Sequence, residues 1–216
     1  MEMNQDKYIP ALGYGWLTPF YDFLLRLTMP ERKFRNQLIE QARIDKDYCI
    51  LDVGCGTGTL VILIKRNYSE SEVIGLDVDK KVLEIARSKI DKNGLDIHLD
   101  HYTGFELPYS NTSFDRVFSC LVLHHLTREK KLRMLKEMYR ILRSGGELHV
   151  ADFGKPNNKT MELISSLLWK SEEAYDNVKG LLPKLFFDSG FVEVEETGRF
   201  ITIFGTLYLF KAKKPK

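Results

Sequence analysis

The sequence predicts an α/β protein built on one doubly wound, mostly parallel sheet. Apolar runs of strand length alternate with segments whose apolar residues recur at helical spacing, the pattern of parallel strands joined by crossover helices. The first apolar run, Ile50-Leu51-Asp52-Val53, opens into a turn with glycines at alternate positions, Gly54, Gly56 and Gly58, and a helical segment follows directly. The second run, Val73-Ile74-Gly75-Leu76, ends on an acid, Asp77. Glycine lets the backbone take positive φ or approach a ligand without a Cβ in the way. The helix after the turn presents unpaired N–H groups and the positive end of its dipole. An acid at the end of the second strand can accept hydrogen bonds from ribose hydroxyls. Turn and acid together predict a nucleoside site.

Along the chain, residues 8–30 mix Tyr8, Tyr14, Trp16, Phe20, Tyr21 and Phe23 with Pro10, Gly13, Gly15, Pro19 and Pro30. Glycine and proline forbid a long regular helix at its start. The aromatics either cover a pocket, with Tyr14, Trp16 and Tyr21 as substrate-facing candidates, or pack this arm onto the domain. Pro30 opens a helix to about Arg43 with Phe34, Leu38 and Ile39 on one face. We divide the chain into this arm and helix, residues 1–45, and one domain, residues 46–216.

A strand over residues 48–53 leads through the glycine turn to a helix over about 57–67. Asp79 stands where it caps the next helix, whose stripe is Val82, Leu83, Ile85, Ala86 and Ile90, and Asn93-Gly94 stops it. Residues 96–101 alternate as a third strand, and 102–113 form a loop around Gly104 and Pro108. Residues 113–120 make the fourth strand. A helix over 128–143 shows Leu132, Leu135, Met138, Tyr139 and Leu142 at core spacing, with Ser144-Gly145-Gly146 as its stop and a fifth strand over 147–152. One or two helices follow Pro156, a further one spans 178–189, and residues 191–195 and 205–210 read as closing strands.

Composition narrows the class. The 216 residues suit one domain with a sizeable core, and 44% hydrophobic with 29% charged residues is typical of a globular protein. A net charge of +2 gives no global reason to expect nucleic acid, and the lysines of the C-terminal tail read as a solvated terminus. No apolar run approaches the roughly 20 residues that span a bilayer. Met1 to Lys7 lacks the pattern of a signal peptide. Cys49, Cys55 and Cys120 have no metal-ligand spacing, and His98 and His101 lack a third ligand, so no metal is expected. A reduced cytoplasmic protein is the simplest account.

The turn's spacing separates nucleoside classes. Thr59 occupies the place of the third glycine of a dinucleotide fingerprint, which speaks against a nicotinamide-dependent oxidoreductase, and no P-loop lysine is present. The stretch Leu51-Asp52-Val53-Gly54-Cys55-Gly56-Thr57-Gly58 resembles motif I of class I S-adenosylmethionine-dependent methyltransferases. Ser113-Phe114-Asp115-Arg116-Val117 and Leu142-Arg143-Ser144-Gly145-Gly146 resemble further motifs of that family. The resemblance covers most of residues 48–152 and the closing strands. It implies a Rossmann-like, seven-stranded sheet with an antiparallel last strand. It also implies S-adenosyl-L-methionine as cofactor, S-adenosyl-L-homocysteine as product, and a small-molecule acceptor. Small-molecule members, including those of quinone biosynthesis, are similar in carrying an N-terminal cap.

Carried onto this chain, the resemblance assigns Gly54, Cys55, Gly56 and Gly58 to the cofactor turn and Asp77 to the ribose. Asp52 orients the turn or meets the amino acid part through water. Val78 covers a face of adenine, and Leu121 contacts the methionine portion through its backbone. The family often has an acid where this chain has Thr103, so adenine falls to the Thr103 hydroxyl, to backbone near Gly104 and Phe105, or to Glu106. His124 and His125 follow the fourth strand, where an imidazole could take a proton from an acceptor, or where one ring braces the next helix. A non-catalytic nucleoside-binding module stands as the other alternative. The acceptor and the oligomeric state are not encoded legibly.

Overall fold

The computed structural model describes residues 29–104, 106–157, 161–162 and 172–216. Tyr14, Trp16, Tyr21 and Phe105, and the helical positions expected from Leu163 to Trp169, lie outside the described residues.

Seven strands form one sheet: β1 (Cys49–Val53), β2 (Glu72–Asp77), β3 (His98–His101), β4 (Phe114–Cys120), β5 (Leu142–Phe153), β6 (Val192–Thr202) and β7 (Gly205–Lys213). Their order is β3-β2-β1-β4-β5-β7-β6. The pairs β1·β2, β1·β4, β2·β3 and β4·β5 are parallel. β7 enters antiparallel to β5, and β6 pairs antiparallel with β7. Chain order therefore reverses between β1 and β4, and in such sheets ligands lie outside the carboxyl ends of the strands at that point.

Among the described residues the α-helices are α1 (Glu31–Glu40), α2 (Thr59–Asn67), α3 (Lys80–Lys92), α4 (Arg128–Ile141), α5 (Glu172–Val178) and α6 (Leu182–Asp188). Two apolar layers sandwich the sheet. Phe34, Leu38 and Ile39 of α1 join Leu60, Val61 and Ile64 of α2 and Leu83, Ala86 and Ile90 of α3 against one face. Met134, Leu135, Met138 and Ile141 of α4 join Leu182, Leu185 and Phe186 of α6 against the other. Along β4, Val117 faces the second layer and Phe118 the first, the alternation a two-sided sheet imposes. Burying Phe34 or Leu38 completely contributes about 1.5–3 kcal/mol each, so α1 is held as firmly as any crossover helix.

Local chemistry moved several boundaries. α2 starts at Thr59 rather than Thr57 because Gly58, at φ +78°, is its N-cap residue. Asp79 caps α3 as expected, its carboxylate accepting the Lys81 N–H at 2.8 Å. β5 begins at Leu142 instead of Glu147: Leu142 already pairs with Phe114, and the ladder then shifts so that Arg116 meets Glu147. Ser144-Gly145-Gly146 is accommodated in that irregularity, with Gly145 at φ +78°. The helix expected over 178–189 is the single helix α6, which starts later, at Leu182, after Gly180 takes φ +71°, with Pro183 in its first turn; α5 has already ended at Val178. The closing strands are longer than their apolar cores, because β6 carries exposed polar residues along a sheet edge.

Candidate functional site

At the carboxyl end of β1 the chain turns back on itself against β2. The N–H groups of Gly54 and Cys55 both donate to the Leu76 carbonyl, at 2.8 and 3.0 Å. Gly54, Gly56 and Gly58 all have positive φ. Gly54 is fixed by space as well, since a Cβ there would stand 2.4 Å from Val122 Cγ2. A Cβ on Gly56 would meet nothing within 4 Å, so the backbone faces open space at that point. Such a surface lets a ligand lie on bare main chain.

Asp77 closes the other side. Its two carboxylate oxygens accept the Gly56 N–H at 2.8 Å and the Asp79 N–H at 2.9 Å. Burial pushes its pKa up, and those two backbone donors oppose the rise. Each oxygen keeps lone-pair capacity for a further donor. Val78 is half-buried beside it, its carbonyl 3.2 Å from His101 Nε2. The Tyr102 N–H donates to the Asp77 carbonyl, which brings the exposed Thr103 and Gly104 next to this strand end.

Asp52 is the strongest electrostatic feature. It is 1% exposed, and its Oδ1 has no hydrogen-bond partner among the described residues. Burial lifts its pKa to about 7, against the opposing pull of the Arg35 guanidinium and with a smaller push from Asp77. A buried, unsatisfied carboxylate oxygen costs free energy unless a donor reaches it. Arg35 itself is buried, donating through Nε to Glu31 Oε1 at 3.0 Å and through Nη1 to Cys120 Sγ at 3.5 Å. A buried acid with an unmatched oxygen thus stands at the carboxyl end of β1, while the nearby Arg35 is already paired with Glu31.

Across the reversal point, Leu121 directly follows β4 at φ +62°, with its N–H on the Ala151 carbonyl at 2.8 Å. A β-carbon in the left-handed region costs roughly 1–2 kcal/mol, so the surrounding contacts hold this backbone in place. The 3₁₀ turn Leu123–His125 follows. Asp152, at the end of β5, gathers its donors: Leu123 N–H at 2.7 Å, His124 N–H at 3.3 Å, Phe153 N–H at 2.7 Å and Asn177 Nδ2 at 3.3 Å. Its Oδ1 lies 2.7 Å from His124 Nδ1. Burial alone would raise the Asp152 pKa, but the charge and hydrogen bond of His124 and the Phe153 N–H hold it below the usual carboxylate range. The contact with Asp152 fixes the orientation of the His124 ring. The His125 ring centroid is 4.0 Å from that of His124. Burial, and then the neighbouring ring, lower its pKa to about 4, so it is neutral near pH 7.

The residues read from sequence at strands one, two and four thus share one end of the sheet. Asp152, Asn177, Glu31 and Arg35 were missed. Asp152 was findable, because it ends a parallel strand just as Asp77 does; Arg35 carried no signal beyond its helical spacing from Glu31. Among the described residues no cluster of His, Cys, Asp and Glu has the makings of a metal site.

A family model described as a methyltransferase domain matches residues 50–146. A demethylmenaquinone methyltransferase of Listeria welshimeri is 33% identical over 127 residues, 58% of this chain and 53% of that protein. The chain therefore spans about half the length of the first curated relatives it matches. A demethylmenaquinone methyltransferase of Thermus thermophilus is 30% identical over 153 residues, covering 70% of this chain and 69% of the relative. Among solved structures, a Bacillus halodurans putative methyltransferase superposes with TM-score 0.68 at 20% identity, over 85% of this chain and all of its own. Phosphoethanolamine N-methyltransferase 2 of Haemonchus contortus, solved with S-adenosyl-L-methionine, gives 0.76 at 14% identity, over 98% of this chain and 60% of its own. Those two likenesses speak to fold, and the sequence matches speak to descent: the chain belongs to the class I S-adenosylmethionine-dependent methyltransferases.

Proposed function

We propose that the protein transfers a methyl group from S-adenosyl-L-methionine to a small-molecule acceptor, releasing S-adenosyl-L-homocysteine. The observation that carries this reading is the unpartnered Asp52 Oδ1, buried behind the open glycine turn and opposite the buried Arg35. A cofactor ending in an ammonium fits Asp52, whereas the pyridinium of a nicotinamide dinucleotide has no N–H to donate to its oxygen. Asp77 has acceptor capacity left for ribose hydroxyls, and the bare backbone at Gly56 suits close approach. We assign adenine to Val78, Thr103 and Gly104, which stand by the Asp77 strand end, with Phe105 next in sequence.

Bound S-adenosyl-L-methionine supplies a methyl group on a sulfonium, already activated for displacement. The chain's share is alignment and exclusion of water. Asp52, Asp77 and the turn fix one reactant, and the strained backbone at Leu121 shapes the wall towards the acceptor. His124, oriented by Asp152, would take the proton from an acceptor that has one to lose, and neutral His125 sits beside it. We read the acceptor as apolar or aromatic; the relatives named demethylmenaquinone methyltransferases support a quinone-type ring. Residues 46–216 would form the catalytic unit and residues 1–45 its cap, with Tyr14, Trp16 and Tyr21 towards the acceptor. Three free cysteines fit a reducing cytoplasm, and a net charge of +2 gives no footprint for nucleic acid.

The test is turnover: purified protein, S-adenosyl-L-methionine and a panel of quinols, phenols and a small-molecule cell extract, with S-adenosyl-L-homocysteine read by mass spectrometry. Product that depends on both acceptor and Asp77 supports the reading. Cofactor binding without turnover on any fraction would favour a non-catalytic nucleoside-binding module. Reduction or oxidation of a nicotinamide cofactor by the same fractions would favour an oxidoreductase.

A further inference from the structure

The hairpin joining β6 to β7 breaks the usual turn chemistry. Thr202 pairs with Gly205, so Ile203 and Phe204 occupy the two corner positions where asparagine, aspartate and glycine normally sit. The turn is held instead by the Thr202 hydroxyl, which donates to the Gly205 carbonyl at 2.8 Å and accepts the Phe204 N–H at 3.1 Å. Phe200 and Phe204 turn inward onto the core layer shared with α1. Ile201 and Ile203 turn outward and are 59% and 58% exposed. A hairpin needs neither isoleucine for packing, and local rules are most often broken where a surface has work to do.

The tip stands at the ligand end of the sheet. Phe153, last residue of β5, pairs with Leu207, and the hairpin runs on past it through Thr206 to the turn. Its flanks are cationic. α1 runs along β6, with the Phe34 and Phe200 ring centroids 6.2 Å apart and Gln37 Nε2 donating to the Thr197 carbonyl at 2.9 Å. That register sets the exposed Arg32 and Lys33 of its first turn level with the tip. On the other face, Arg199 lies over the Tyr208 ring, 4.8 Å from its centroid, and the Tyr208 hydroxyl donates to the carbonyl of Lys155, whose side chain is exposed. The nearby acids are engaged: Glu31 is buried against Arg35 and Glu196 bonds Arg199. The chain as a whole is nearly neutral, at +2, so this concentration of cations around two exposed isoleucines is local.

We propose that this tip and its cationic collar form a docking site for an anionic lipid surface, which brings the ligand end of the sheet against the membrane interface. Ile201 and Ile203 enter the headgroup region while Arg32, Lys33 and Lys155 meet anionic headgroups, the two contributions that make reversible surface binding. No helix among the described residues is long and apolar enough to cross a membrane, and this contact asks for none. The inference stands independently of the methyl-transfer reading.

The test is co-sedimentation of the full chain with vesicles of phosphatidylcholine alone and of phosphatidylcholine doped with phosphatidylglycerol. Binding is expected to the anionic vesicles only, and to weaken as salt screens the collar. Ile201→Asp/Ile203→Asp and, separately, Arg32→Glu/Lys33→Glu should each lower the partition coefficient by more than about tenfold. Circular dichroism and S-adenosyl-L-methionine titration serve as controls for folding, and the charge-reversal pair, which touches no core, decides if the isoleucine pair misfolds. Failure of the wild-type chain to bind anionic vesicles, or binding unchanged in the charge-reversal pair, overturns the proposal. So does light scattering in which wild type is a dimer that the isoleucine pair dissolves while vesicle binding is absent: the tip would then join two copies of this chain.

Discussion

On the proposed reading, in which the cofactor's ammonium meets Asp52, cofactor binding should be a proton-coupled event. The unliganded protein holds its carboxyl at a pKa of about 7 through burial, against 3.8 for an ordinary aspartate. That difference of about 3 units corresponds to roughly 4 kcal/mol favouring the protonated form in the folded chain. An ammonium reaching Oδ1 favours the ionised form, so binding must expel the proton wherever Asp52 still carries one. At pH 6 about nine-tenths of the unliganded protein is protonated, and the affinity should be roughly tenfold weaker than its plateau. From pH 5.5 the dissociation constant should fall steeply until about pH 7, then level off. It should rise again above about pH 8, where an α-amino group loses its own charge. Calorimetric titration with S-adenosyl-L-methionine in two buffers of different ionisation heat would count close to one proton released at pH 6 and far fewer at pH 7.5. Asp52→Asn should flatten the acid limb and weaken binding at the plateau by roughly 2 kcal/mol, the loss of a charged hydrogen bond. Affinity independent of pH from 5.5 to 7.5, with no proton released, would refute the reasoning.

Other consequences follow from the same groups. Asp52 has a raised folded pKa, so its contribution to stability is fully present below pH 3.8 and is lost as pH rises through about 7; His125 has a folded pKa lowered by burial from 6.5 to about 4, so its contribution is lost as pH falls between those values. The two oppose each other near pH 5. Urea titrations should therefore show Asp52→Asn steepening acid destabilisation, and His125→Gln stabilising the protein at pH 5 by about 2 kcal/mol relative to pH 7.5. Gly54→Ala should abolish cofactor binding and lower the melting temperature, since its Cβ would stand 2.4 Å from Val122 and φ is +76°. Asp152→Asn keeps the shape but removes the charge that several donors share; it should cost roughly 2–3 kcal/mol in stability. It should also lower kcat about a hundredfold with little change in cofactor affinity, measured on an acceptor found by the turnover screen.

Much of the molecule was legible because its information is local. The glycine turn announces itself through positions that need positive φ, and Asp77 through its place at a strand end. The alternation of Asp96 to His101 and the stripe of Val82 to Ile90 follow directly from the geometry of strand and helix. What was illegible depends on tertiary pairing. The early start of β5 at Leu142 arises from a shift in the ladder with β4 that no periodicity reports. The convergence of Leu123, His124 and Asn177 on Asp152 joins residues 25–29 positions away. Arg35 looks like an ordinary surface arginine on an amphipathic helix until the fold turns it inward to Cys120. The unpaired oxygen of Asp52 is the clearest case. Sequence marks the residue as part of a motif, but only burial without a partner says that a donor must arrive from outside.

The account's central claim is tested most directly by isothermal titration of the purified chain with S-adenosyl-L-methionine, S-adenosyl-L-homocysteine and NAD, repeated on Asp77→Ala. Dissociation constants on the order of micromolar, about −8 kcal/mol, for both sulfur ligands, silence with NAD and loss of binding in the variant are predicted. Heat with NAD and none with the sulfur ligands would contradict the account, as would sulfur ligands that bind Asp77→Ala as tightly as the wild-type chain.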